Sequence, residues 1–146
     1  MVKYVNGDLF DSDANILAHG CNTVGGYGSG VAKLMAENFP AAKMSYYNKY
    51  NGEGWKLGDV QFVLVGSLKY VVNCATQQEY YPRNRVHADY DAIRTCMEKV
   101  KNFAKVGGLT IAIPKIGAGL AGGDWNTIEA ILNEVFTDYD VTVFVL

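Results

Sequence analysis

The spacing of apolar residues changes period several times along the chain. "ANILAHGCN" (14–22) contains a continuous apolar run, the mark of a strand covered on both faces. In "GVAKLMAENF" the period lengthens to that of a helix, with Val31, Leu34, Met35 and Phe39 on one face; Pro40 begins a second helical stretch through Tyr50. A short strand is expected at Lys3 to Val5, ending at "NGD", and "NGEGWKLGD" is turn chemistry. "VQFVLVG" and "KYVVNCAT" follow as strands joined by Ser67-Leu68, which predicts an antiparallel pair. "QQEYYPRNRVHAD" reads as a polar, aromatic-bearing loop. The helix "YDAIRTCMEKVKNFAKV" carries Ile93, Met97, Val100 and Phe103 on one stripe and is stopped by Gly107-Gly108. "LTIAIPKIG" is a buried strand running into "GAGLAGG", "WNTIEAILNEVF" is the last helix and "VTVFVL" a final strand. Strands alternating with helices, apart from one hairpin, predict a mixed sheet between helical layers.

Composition narrows the class. The 146 residues suit one domain spanning 1–146, with 49% hydrophobic and 19% charged residues, the balance of a soluble globular protein. A formal net charge of −2 argues against a nucleic-acid grip built on phosphate neutralisation. Three cysteines without CxxC spacing suggest neither a disulfide framework nor a zinc site, and two histidines make a His-rich metal centre improbable. No apolar run is long enough to span a bilayer and "MVKYVNGDLF" is not a signal peptide, so a cytoplasmic protein is expected.

The candidate chemistry lies in two glycine clusters, "GGYGSG" and "GAGLAGG", each placed where a strand gives way to a helix. That junction is the carboxyl edge of an α/β sheet, where ligands bind. Helix N-termini there present unpaired N–H groups and a positive dipole end, and glycine lets an anion come close. Two such loops facing each other could hold a diphosphate without basic side chains. "GGYGSG" is not a P-loop, since no GKS or GKT follows, and it lacks the GxGxxG spacing.

Several side chains have both a structural and a chemical reading. Asp8 follows a turn glycine and either closes that turn or meets a ligand. Asn22, at a strand end, either forms a turn or offers its carboxamide to a sugar hydroxyl or a water. His19 is either a core histidine or, three residues before Asn22, a proton donor whose pKa a nearby phosphate would raise. Asp124 before "WNTIEAIL" fits an N-cap with its carboxylate near Thr127; orienting a water is the alternative. Tyr27, set between glycines, is placed to cover a sugar, whereas Tyr80 and Tyr81 read as surface aromatics. Lys115 could meet a phosphate or point to solvent, and Cys21 and Cys74 read as small core residues.

Four segments in order, "VNGDLF", "ILAHGCNTVGGYGSGVA", "YVVNCAT" and "IAIPKIGAGLAGGDW", resemble the macro domain family of ADP-ribose-binding modules and hydrolases. The second and fourth are most similar to the branch that includes small ADP-ribose-1''-phosphate phosphatases. The resemblance implies a three-layer α/β/α sandwich around a central mixed, largely parallel sheet, with ADP-ribose in a cleft across its edge. It implies Asp8 on the adenine amino group, the Leu9 backbone against the ring, and Asn22 facing the distal ribose. Tyr27 would flank that ribose, with Gly26 also among the ligand-binding residues; Gly28, Ser29, Gly30 and Val31 would wrap the diphosphate from one side, and Ile116, Gly117, Ala118, Gly119 and Leu120 from the other. The activity implied is metal-independent, cofactor-free removal of the terminal phosphate of ADP-ribose-1''-phosphate, with Asn22, His19 and Asp124 as candidate catalytic residues. The alternatives are a non-catalytic reader of ADP-ribose or a hydrolase of O-acetyl-ADP-ribose or ADP-ribosyl esters. Partners would be ADP-ribose, a derivative or an ADP-ribosylated protein, with no direct nucleic-acid or membrane contact, and the chain a monomer. One branch of the family uses a lysine after the "NCAT"-type strand and an aspartate in the second loop. Here Gln77, Gln78 and Ala121 stand there, which argues against a lysine adduct.

Overall fold

A computed structural model describes residues 1–82 and 85–146; Arg83 and Asn84 of the expected polar loop lie outside the described residues. The elements follow in the order β1 (Val2–Asn6), β2 (Ile16–Cys21), α1 (Gly30–Asn38), α2 (Pro40–Asn51), β3 (Val60–Gly66), β4 (Lys69–Ala75), α3 (Tyr90–Gly107), β5 (Ile111–Ile113), α4 (Trp125–Val135) and β6 (Val141–Val145). The strands form one sheet ordered β1-β6-β5-β2-β4-β3. Every pairing is parallel except the β3–β4 hairpin.

Alternation along the central strands sends successive side chains to opposite faces. Ile16 and Ala18 of β2, Val72 and Cys74 of β4, and Ile111 and Ile113 of β5 join a core with Ile93, Met97, Ile128 and Leu132 of α3 and α4. Leu17 and Cys21, Val71 and Ala75, and Ala112 join a second core with Met35, Ala42 and Tyr46 of α1 and α2. Coverage on both faces is why β2 and β4 read as apolar runs rather than alternating strands. The three-layer α/β/α sandwich with a mixed, mostly parallel sheet is therefore present as expected.

One local expectation needs correcting. In α1 only Met35 is buried; Leu34 is 43% exposed and sits on the rim of a cleft, so the expected apolar face is narrower by one residue. Phe103 is half-buried at the end of its stripe, stacked on Phe62 with ring centroids 4.1 Å apart. A 3-10 turn at Leu9–Asp11 had no sequence signal, because three residues are too few for a period. Phe39 marks the break between α1 and α2 with φ −136° and ψ 78°, outside the α region that a following proline disfavours.

The chain leaves β2 toward one face, through α1 and α2, and leaves β5 toward the other, through α4. β2 and β5 are neighbours, so a crevice opens between the two departing loops. Open α/β sheets bind ligands at such a switch point.

Candidate functional site

A cleft of about 910 Å³ crosses the carboxyl ends of the strands. It runs from Gly7–Phe10 after β1 and Phe144–Leu146 at the end of β6 to Thr76 and Gln77 after β4. Both glycine loops line its middle.

The first loop leads from β2 into α1. Asn22 holds its entry: the carboxamide oxygen accepts from the Val24 and Gly26 amides at 3.1 and 3.0 Å, while Nδ2 donates to the Gly26 carbonyl at 2.8 Å. The Tyr46 hydroxyl donates to the Asn22 carbonyl at 2.8 Å and accepts from the Gly25 amide at 3.1 Å. Ser29 occupies the N-cap of α1 but makes no side-chain cap bond. Among the described residues, the amides of 28–32 find no protein partner. These are the orphan donors of a helix N-terminus, and they carry its positive dipole end.

The loop's glycines serve different ends. A side chain at Gly25 would lie 2.9 Å from the Tyr50 ring, and one at Gly26 would lie 2.6 Å from the Tyr80 ring. These two positions are bare where the protein's own aromatics come close; Gly25 also has φ +88°, and Gly26 lines the cleft. Gly30 has φ +60°, a conformation that side chains resist. At Gly28 the space is open, and Gly28 lines the cleft.

The second loop, between β5 and α4, is held by its own main chain. Ile116 N–H donates to the Pro114 carbonyl at 2.7 Å, Ala118 to Lys115 at 3.1 Å, Gly122 to Gly119 at 3.1 Å and Gly123 to Gly117 at 2.8 Å. The amides of Gly117, Gly119, Leu120 and Ala121 have no partner among the described residues. Ile116 to Leu120 all line the cleft and Ala121 joins them; within that row the amides of Ile116 and Ala118 are engaged by the loop itself.

The remaining candidates separate. Asp8 lines the cleft; one carboxylate oxygen accepts from Phe10 N–H at 2.9 Å, so turn closure and a ligand contact by the other oxygen are compatible. Leu9 is buried beside it and lines the same end. Asn22 also faces the cleft, one N–H of its amide being used by Gly26. Asp124 lies outside the lining and caps α4, accepting from Thr127 N–H at 3.1 Å and its hydroxyl at 2.7 Å. Those bonds hold its carboxyl below the usual range, first through the Thr127 hydroxyl and then through backbone N–H groups. Lys115 borders the cleft with its ammonium 5.3 Å from the centre of the Trp125 ring.

Two placements differ from expectation. His19 is fully buried beneath the cleft rather than at its mouth, and burial pushes its pKa down to about 4, outweighing the hydrogen bond to Asn73. Sealed from the cleft and held neutral, His19 is not the imidazolium that a proton donor there would have to be. Tyr27 is 1% exposed and turns inward, its hydroxyl donating to Asn73 Oδ1 at 2.8 Å, so its ring does not cover a sugar. A tyrosine between glycines reads as a cover until a buried acceptor for its hydroxyl is known. Tyr80, 46% exposed and lying on Gly26, borders the cleft instead. Gln77 and Ala121 also line it, so no lysine or aspartate stands at those two places. Among the described residues no three His, Cys, Asp or Glu side chains converge as a metal site would need.

An open α/β sheet with two amide-lined loops at its switch point defines a class of anion-binding, nucleotide-type α/β domains. Within that class, residues 18–132 match the model of the Macro domain, and the chain belongs to this family. It is 29% identical, over the whole of both chains, to an ADP-ribose 1''-phosphate phosphatase of Candida albicans. It is also 29% identical to ADP-ribose glycohydrolase OARD1 of Bos taurus, over 99% of this chain and 91% of that one. A macrodomain protein from Streptomyces coelicolor superposes with a TM-score of 0.86 at 28% identity, over 100% of this chain and 99% of that one.

Proposed function

We propose that the chain binds ADP-ribose through its diphosphate and hydrolyses ADP-ribose 1''-phosphate to ADP-ribose and inorganic phosphate. The observation that carries this reading is the pair of unpartnered amide rows, residues 28–32 and 117 with 119–121, facing one cleft. A diphosphate is the nucleotide group that matches two opposed sets of N–H donors. Adenine would then lie toward Asp8 and the distal ribose toward Asn22. The end-to-end likeness to the Candida phosphatase supports the choice of substrate.

In this mechanism binding energy from the adenosine and diphosphate places the scissile phosphate beside Asn22. Water attacks the phosphorus, the bond to the C1'' oxygen breaks, and the departing oxygen takes a proton through solvent. Asn22 can donate its second amide N–H to the phosphoryl oxygens. With His19 sealed below the site and Asp124 capping α4, no general acid is supplied by either, and turnover is slow. Free phosphate measured during incubation with the substrate tests this: slow release with ADP-ribose as co-product is expected, and an inert wild type removes the activity. The burial of His19 favours a second reading, a non-catalytic reader, which would bind ADP-ribose by calorimetry and release no phosphate.

A further inference from the structure

Strand register lines up three polar side chains across the sheet. His19 of β2 pairs with Asn73 of β4, and Asn73 pairs with Gln61 of β3. All three belong to the face covered by α1 and α2, where an unpaired polar group would be costly.

Their hydrogen bonds fix one another's orientation. Gln61 Nε2 donates to the Ser45 carbonyl of α2 at 2.9 Å, which leaves its Oε1 to accept from Asn73 Nδ2 at 3.0 Å. Asn73 Nδ2 also donates to the Ala42 carbonyl at 3.0 Å, so both its donors are engaged and Oδ1 must accept. That oxygen receives the Tyr27 hydroxyl at 2.8 Å and His19 Nε2 at 2.7 Å. His19 therefore carries its proton on Nε2, and its buried Nδ1 has no partner among the described residues. The series of donors and acceptors runs from the backbone of α2 to a tyrosine lying between Gly26 and Gly28.

We infer that the Gln61–Asn73–His19 row, buried at Asn73 and His19 and half-buried at Gln61, is a latch, and that Tyr27, through it, is a positioning residue for the anion-binding amides. The inference rests on the proposed diphosphate site. Asn22 pins the loop at residues 24 and 26; the Tyr27 hydroxyl pins it again one residue before Gly28, the most open position in the loop. From the second pin only Gly28 and Ser29 separate the latch from α1, so the orphan amides are held in place before a ligand arrives.

The test is Tyr27→Phe, which keeps the ring beside Tyr46 and removes only the hydroxyl. Backbone order parameters of the ligand-free protein at Gly28 and Ser29 are expected to fall from about 0.85 toward about 0.6, with those of α3 unchanged. ADP-ribose affinity should weaken about tenfold, the scale of one ordinary hydrogen bond, whereas adenosine, lacking a diphosphate, should bind as before. Gln61→Met, a half-buried change at the edge of the sheet, should shift the same measurements less and in the same direction. Unchanged order parameters in both variants would overturn the latch, as would equal weakening of ADP-ribose and adenosine. If wild type binds no ADP-ribose, the proposed function fails, while the order parameters still decide the latch.

Discussion

The two glycine loops line one cleft but are held in opposite ways. The first is fixed by side chains: its own Asn22 and Tyr27, with Tyr46 of α2 and Asn73 of β4. The second is fixed by main-chain bonds, four of its own across Pro114–Gly123 and two from the His87 and Ala88 amides to the Ala121 carbonyl. The helices they open differ too, since Asp124 caps α4 while Ser29 leaves α1 uncapped. A loop tied to the core by side chains can leave its amides unengaged for a ligand. A loop tied by its backbone uses some of its amides to hold itself.

The largest effect expected from breaking this contrast is at Gly117. It has φ +78°, and a Cβ there would lie 2.9 Å from Ile93 Cδ1. Gly117→Ala should cost about 2–4 kcal/mol in urea unfolding, from backbone strain and overpacking together. Gly28→Ala, in open space, should change stability by no more than about 0.5 kcal/mol and weaken only ADP-ribose binding. Equal destabilisation by the two would erase the distinction.

Acid should act next, and through the first loop. Folded His19 resists protonation down to about 4, against 6.5 for an unperturbed imidazole. Between those values the unfolded chain binds the extra proton. This contribution is therefore fully present above pH 6.5 and fades as pH falls, by about 3 kcal/mol at pH 4. The measurement is the difference in urea unfolding between wild type and His19→Gln from pH 7 to 4; a constant difference would show that the imidazole is not held neutral.

The smallest effects compare the caps. Asp124→Ala should lower the melting temperature slightly without altering ADP-ribose affinity, since its carboxylate serves Thr127. Ser29→Ala, which removes no cap bond, should leave melting unchanged. The reverse pattern would mean that α1, not α4, depends on its cap.

Much of the frame was legible because apolar runs and helical stripes are local. "ANILAHGCN" and "KYVVNCAT" declared themselves as covered strands, and both glycine clusters marked the cleft. What was not legible depends on register. Nothing local to His19 shows that it faces Asn73, or that Asn73 faces Gln61. The nearest signal was a polar residue within each apolar strand, at the same alternation. The inward turn of Tyr27 was hidden for the same reason: the acceptor that draws it in lies 46 residues away. Ile116 lines the cleft, but that its amide is closed on Pro114 by a tight turn is likewise not written in its own spacing.

A cradle made of peptide dipoles has a consequence for the solution around it. Amides neither titrate nor shed bound counter-ions when a dianion enters. Raising ionic strength should therefore weaken the hold on a diphosphate far less steeply than in a cleft lined with ammonium groups. The domain would stay loaded in brine that strips a basic nucleotide binder.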